Sequence, residues 1–186
     1  MKYFSLVIAC ISIILISPMC KSPGYRYLKI ECDAPYDICY MIYLGTDYSR
    51  QIPESPLEGM YNNLSFSTIE SKQYSLMRTL GTWEENWKLS PNDTLSFFFF
   101  HRDTIDKYSW EEIRQYNKTL VRYDIGTGDL MRLPKFYYNN VNSASDPVII
   151  YPPTEQMRFI RMYPPYEKVM EQYEEDCRKI AERESN

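Results

Sequence analysis

Few side chains in this sequence are suited to catalysis, and their spacing limits what they can do. His101 is the sole histidine. A Ser–His or Cys–His pair would have to use it, and nothing nearby in the sequence positions it as a base. It closes the run Phe97-Phe98-Phe99-Phe100 and reads as a half-exposed cap. Zinc would require Cys32, Cys39, His101 and a carboxylate to converge, and a cysteine spacing of seven is not that of a zinc knuckle. Glu84-Glu85 and Glu111-Glu112 offer paired carboxylates of the kind glycosidases use. Adjacent glutamates on a helical turn point apart, however, and suit a solvated face. Gly126-Thr127-Gly128 lacks the third glycine of a dinucleotide fingerprint. The expectation is a non-enzymatic protein that needs no cofactor and no metal.

Two constellations point to binding or bonding instead. Trp83 and Trp87 are four apart, which stacks them on one face of a helical turn. Exposed, they would make a glycan-stacking platform; otherwise they are core. Cys32 and Cys39 flank Asp33-Ala34-Pro35-Tyr36-Asp37-Ile38, a turn by composition. A hairpin through that turn would bring the thiols face to face, and an oxidising compartment would permit a disulfide. The alternative is two small buried residues. Cys177 is then an odd thiol.

The N-terminus bears on the compartment. Met1-Lys2 is a short positive start, and Phe4 to Ile16 is a 13-residue apolar run. A bilayer span needs roughly 20 such residues, so the run has the length of a signal-peptide core. It ends in Ile16-Ser17-Pro18-Met19-Cys20, where a cysteine just past the apolar run fits acylation at Cys20. An ordinary secretory signal or an uncleaved anchor is the alternative. The division expected is a signal peptide over 1–19, a tether over 20–24, a β-rich domain over 25–165 and a C-terminal helix over 166–186. Net charge is −4 with no basic run, which disfavours nucleic acid as a partner.

The elements that must position these residues follow from periodicity. Phe97–Phe100, apolar on both faces and preceded by the turn Pro91-Asn92-Asp93, reads as a central strand. Tyr25–Cys32 and Ile38–Leu44 read as a first hairpin, with strands also expected near 64–69, 73–80, 119–125 and 136–141, and a last one at Val148–Tyr151. Gly45 to Asn63 reads as a long surface loop. Ser109 and Glu112 form a capping box for a short helix, and Thr127 is expected to cap a single turn. Tyr166, Met170, Tyr173, Cys177 and Ile180 make an apolar stripe on a C-terminal helix that packs on the domain or meets a partner helix. The fold class expected is an antiparallel β-sandwich with short helices and a C-terminal amphipathic helix.

Four strings, Asp93–Phe100, Tyr108–Arg114, Val121–Asp124 and Tyr163–Tyr166, resemble a family of small lipoproteins of Bacteroides-type bacteria, over roughly residues 25–166. That family carries no assigned activity, so the resemblance implies an envelope location and one compact domain, and no catalytic residue. It also implies O-glycosylation at Asp-Thr-apolar triplets, here Thr94 and Thr104. The sequence therefore leads to an interaction or structural protein of the cell envelope. Its membrane partner would be met through an acyl anchor at Cys20, its other partner being an envelope protein or, as the alternative, a glycan.

Overall fold

The computed structural model describes residues 24–25, 27–43, 52–53, 66–79, 81–136 and 145–185. Among the described residues nine strands form two sheets. β1 (Tyr27–Cys32), β4 (Tyr74–Arg78), β7 (Lys135–Phe136) and β8 (Asp146–Tyr151) build one, in the order β4-β1-β8-β7. β2 (Ile38–Tyr43), β3 (Ser67–Ile69), β5 (Thr94–His101), β6 (Val121–Gly126) and β9 (Arg161–Tyr163) build the other, in the order β3-β2-β5-β6-β9. The helices are α1 (Trp83–Trp87), α2 (Arg102–Lys107), α3 (Trp110–Gln115), α4 (Thr127–Leu130) and α5 (Tyr166–Glu184). The fold is mainly β and sandwich-like.

β5 is central in the larger sheet, as its composition requires. Its four phenylalanines are all at most 1% exposed, each burial contributing about 1.5–3 kcal/mol. Alternation sends Phe97 and Phe99 into the core between the sheets and Phe98 and Phe100 into a second cluster on the outer face. Phe99 stacks on Tyr151 of the opposite sheet, with ring centroids 6.0 Å apart. On the outer face Phe100 meets Trp110 and Phe66 edge-on or tilted. Both capping boxes are formed, Thr82 with Glu85 on α1 and Ser109 with Glu112 on α3.

Several expectations are corrected. β1 and β2 are not a hairpin: the turn between them carries the chain from one sheet to the other. β3 and β4 part in the same way across residues 70–73. Long-range hydrogen bonds hold this arrangement, because the two crossing turns clasp each other. Lys72 Nζ donates to the Asp33 carbonyl and carboxylate, both at 2.7 Å, the Ser71 N–H donates to Asp37 Oδ1, and Ser71 Oγ donates to the Ala34 carbonyl. One pair, β1 with β8, is parallel in an otherwise antiparallel fold. Val148–Tyr151 is not the last strand, since β9 follows. The turn at α4 is capped by Asp129, which accepts from the Gly126 N–H, while Thr127 Oγ1 donates to the Asp93 carbonyl. Within the expected surface loop, Ile52 and Pro53 are buried, and their carbonyls accept from Arg114 Nε and Trp110 Nε1.

α5 packs on the domain. Val169 is fully buried, and Tyr166 and Tyr173 lie against the inter-sheet core. The stripe from Tyr166 to Ile180 is half-buried throughout.

Candidate functional site

The strands run between two poles. The eight residues of β5 at about 3.3 Å each separate these poles by roughly 25 Å. At one pole β1 and β5 begin, β4 and β6 end, and α1 and α4 sit. At the other are the two clasped turns, the end of β5, α2 and the C-terminal half of α5.

The second pole holds a cleft of about 500 Å³, a size suited to a ligand or an inserted side chain. Its floor is Tyr36, from the β1–β2 turn, and His101, at the N-cap of α2. The two rings stack, with centroids 4.1 Å apart and planes 34° from parallel. His101 Nε2 lies 3.4 Å from Asp176 Oδ2 of α5, an ion pair when the imidazole is protonated. One wall carries Thr104 and Lys107 of α2; the other carries Lys179, Ile180 and Arg183 of α5. Charges of both signs line it. Lys107 pairs with Asp103 at 2.6 Å and Lys179 with Glu175 at 2.7 Å, while Arg183 has no ion-pair partner among the described residues. Exposed pairs of this kind contribute little to stability, so they exchange readily for a partner's charges.

Behind the floor the polar groups are committed. The hydroxyls of Tyr36 and Tyr151 bond to each other at 2.9 Å. Burial pushes both phenols far above their ordinary range. Tyr173 is pushed up to about 12, first by burial and then by its hydrogen bond with Cys177. These tyrosines are hydrogen-bonding groups at neutral pH, not bases. Lys107 holds the Asp103 carboxyl below its ordinary value. The arrangement is equipped to hold a charged surface by ion pairs and hydrogen bonds, with Ile180 as an apolar contact.

The remaining candidates fall elsewhere. Trp83 and Trp87 are completely buried, in the core below the first pole, and meet edge to face at 72°. Trp87 Nε1 donates to the Ile125 carbonyl at 2.6 Å. They form no stacking platform; the helical turn that aligns them turns them inward. Cys32 and Cys39 are free thiols. Cys32 lies in the inter-sheet core and donates to the Tyr36 carbonyl. Cys39 alternates with the core-facing Ile38 and Tyr40, and its partner is Thr68 Oγ1. The larger sheet therefore stands between the thiols, and the disulfide expected from a hairpin is not made. Burial raises both thiol pKa values. Thr94 opens β5 at the first pole, and Thr104 stands in the cleft, both half-buried. Cys20, the signal segment and most of the tether lie outside the described residues.

A smaller cavity of about 280 Å³ on the outer face of the larger sheet is lined by Phe98, Arg122 and Tyr163. Its buried charges answer one another. Arg122 Nε donates to Asp124 Oδ1 at 2.6 Å and Nη2 to Ser96 Oγ at 3.2 Å. Arg161 Nε stands 3.3 Å from Asp124 Oδ2, an ion pair without hydrogen-bond alignment. This network holds β5, β6 and β9 together.

Comparison with known protein families, with curated proteins and with solved structures finds no match. Among the described residues no three His, Cys, Asp or Glu side chains are grouped to hold a metal, and no helix is long and apolar enough to cross a membrane.

Sequence reasoning named His101 but missed Tyr36 and Asp176 as its neighbours. Asp176 is 75 residues away, and it lies one position off the apolar stripe of α5. Only the docking of that helix brings it to the imidazole.

Proposed function

We propose that this chain is a non-enzymatic interaction protein of the cell envelope, held at a membrane by an acylated Cys20 and presenting its cleft to a protein partner. One observation carries the reading: the chain leaves the tether at one pole, and the cleft opens at the other. Tyr25 is fastened at the first pole. Its N–H donates to Glu84 at 3.0 Å and its carbonyl accepts from the Trp83 N–H at 2.7 Å. A protein anchored there turns the Tyr36–His101 floor away from the membrane. Cleft chemistry of mixed charge, with the Tyr36 and His101 rings and Ile180 among the charges, suits a polypeptide surface. The resemblance to small envelope lipoproteins supports the same compartment. The glycan alternative loses Trp83 and Trp87, which are buried, and would have to use other aromatic rings.

Two measurements test it. Intact mass of the protein purified from its own membranes should show a start at Cys20 plus acyl chains; a lipid-free mass overturns the anchor. A photo-cross-linking residue in place of Lys179 should capture an envelope protein in living cells, and His101→Gln should reduce the yield. Capture from Leu76 on β4 instead would move the partner off the cleft. The same mass spectrum reads the proposed O-glycans at Thr94 and Thr104. Sugar on Thr104 would fill the cleft and argue against a protein there.

A further inference from the structure

We infer that the pole carrying Tyr25 is a membrane-contact surface, with Leu89 and Met131 as its apolar tips and a lipid bilayer as its partner. The inference rests on the proposed anchor at Cys20, because tether length orients the molecule. Four residues, or five Cα–Cα steps, separate Cys20 from Tyr25, a reach of at most about 18 Å when fully extended. Tyr25 is a fixed exit point. Beyond its backbone bonds to α1, its hydroxyl donates to Met131 Sδ and accepts from Lys135 Nζ at 2.9 Å, with that ammonium 4.2 Å from its ring centroid. Gly24 lies so close to the cap of α1 that an added Cβ would sit 2.6 Å from Thr82 Cγ2. A short tether from a pinned residue keeps this pole near the lipid headgroups.

The residues found there match that setting. Leu89 is 82% and Met131 66% exposed, the two largest exposures among the exposed large hydrophobic residues described. Leu89 follows the end of α1 and Met131 the end of α4, two helices in contact at this pole. Each has an exposed cation beside it in sequence, Lys88 and Arg132. Apolar tips flanked by long basic side chains are the chemistry of an interfacial contact: the tip enters the acyl boundary and the cation stays with the phosphates. Three acids of this pole hold the fold together, while Asp93 is exposed and Arg132 also stands 3.8 Å from Asp129. Glu84 binds the Tyr25 N–H, Glu85 the Thr82 N–H and Asp129 the Gly126 N–H.

The experiment supplies the tether artificially, so that it does not depend on acylation. The chain from residue 20 carries Cys20→Ser, Cys177→Ser and an N-terminal histidine tag, and is bound to phosphatidylcholine vesicles through nickel-chelating lipid. Single cysteines replacing Leu89, Met131, Leu76 or Lys179 are labelled with a polarity-sensitive fluorophore; Cys32 and Cys39 are buried and stay unlabelled. Probes at 89 and 131 should shift to the blue on vesicles and be quenched by lipid-borne nitroxide, while the probe at 179 keeps its aqueous spectrum. Unchanged spectra at 89 and 131 overturn the inference, as does lipid contact at 76, which would mean that the sandwich lies on its side. A lipid-free native mass would instead refute the anchor and leave the vesicle result standing.

Discussion

The two poles are built from the ends of the same strands, yet they spend their residues differently. At the tether pole two tryptophans are wholly buried and a capping box closes α1. At the cleft pole the ring of His101 keeps 30% of its side-chain surface, and surface ion pairs line the walls. Only the tyrosines behind the floor are closed off. One end is committed to stability, the other keeps polar groups accessible. That contrast is what the proposed anchored binding domain requires, and perturbations of each end should separate it.

Alkali should have the largest effect, acting through the raised phenols, of which Tyr36, Tyr151 and Tyr173 lie at the cleft pole and Tyr123 in the core. Tyr36, Tyr151 and Tyr173 are all raised in the fold. The unfolded chain ionises its phenols near pH 10, before the folded one does. Their contribution is therefore complete below about pH 10 and is lost as pH rises through the value of about 12 for Tyr173. Phenolate absorbance and circular dichroism should change together in that window. Phenols that titrate near pH 10 in a still-folded chain would show the network to be open.

At the tether pole Trp87→Ala should cost about 3–5 kcal/mol in urea unfolding, since it empties a core position and strips the Ile125 carbonyl of its donor. Thr82→Ala should cost about 1 kcal/mol by removing the cap of α1. A loss no larger for Trp87 than for Thr82 would dissolve the contrast between the poles. The smallest change is expected from His101→Gln, within about 1 kcal/mol, because its pair with Asp176 is partly solvated. A large loss there would make the cleft pole structural and undercut a binding role.

How much was legible follows from the range of the forces involved. The central strand was readable because four adjacent phenylalanines demand cover on both faces. The Ser109–Glu112 capping box and the C-terminal helix were readable because their determinants lie within one or two helical turns, whereas the equally local Thr82–Glu85 box was overlooked. The false hairpin shows the limit. A turn of Asp, Pro and Asp tells where the chain bends, but not whether it returns to the same sheet. That choice fell to Lys72 and Ser71, more than 30 residues on, which hold the turn from across the sandwich. The thiols of Cys32 and Cys39 went with it. Trp83 and Trp87 were correctly placed on one helical face, yet spacing cannot say whether that face looks into the core or into water.

By itself the sequence determined where most of the strands and helices form, though not β9 or α2, which strand is central, and the absence of a basic run. These rest on local alternation, capping and composition. Tertiary structure alone decided sheet membership, the parallel β1–β8 pair, the inward turn of the tryptophans, and the meeting of Tyr36, His101 and Asp176. Each depends on hydrogen bonds and packing between segments far apart in the chain, which no local pattern encodes.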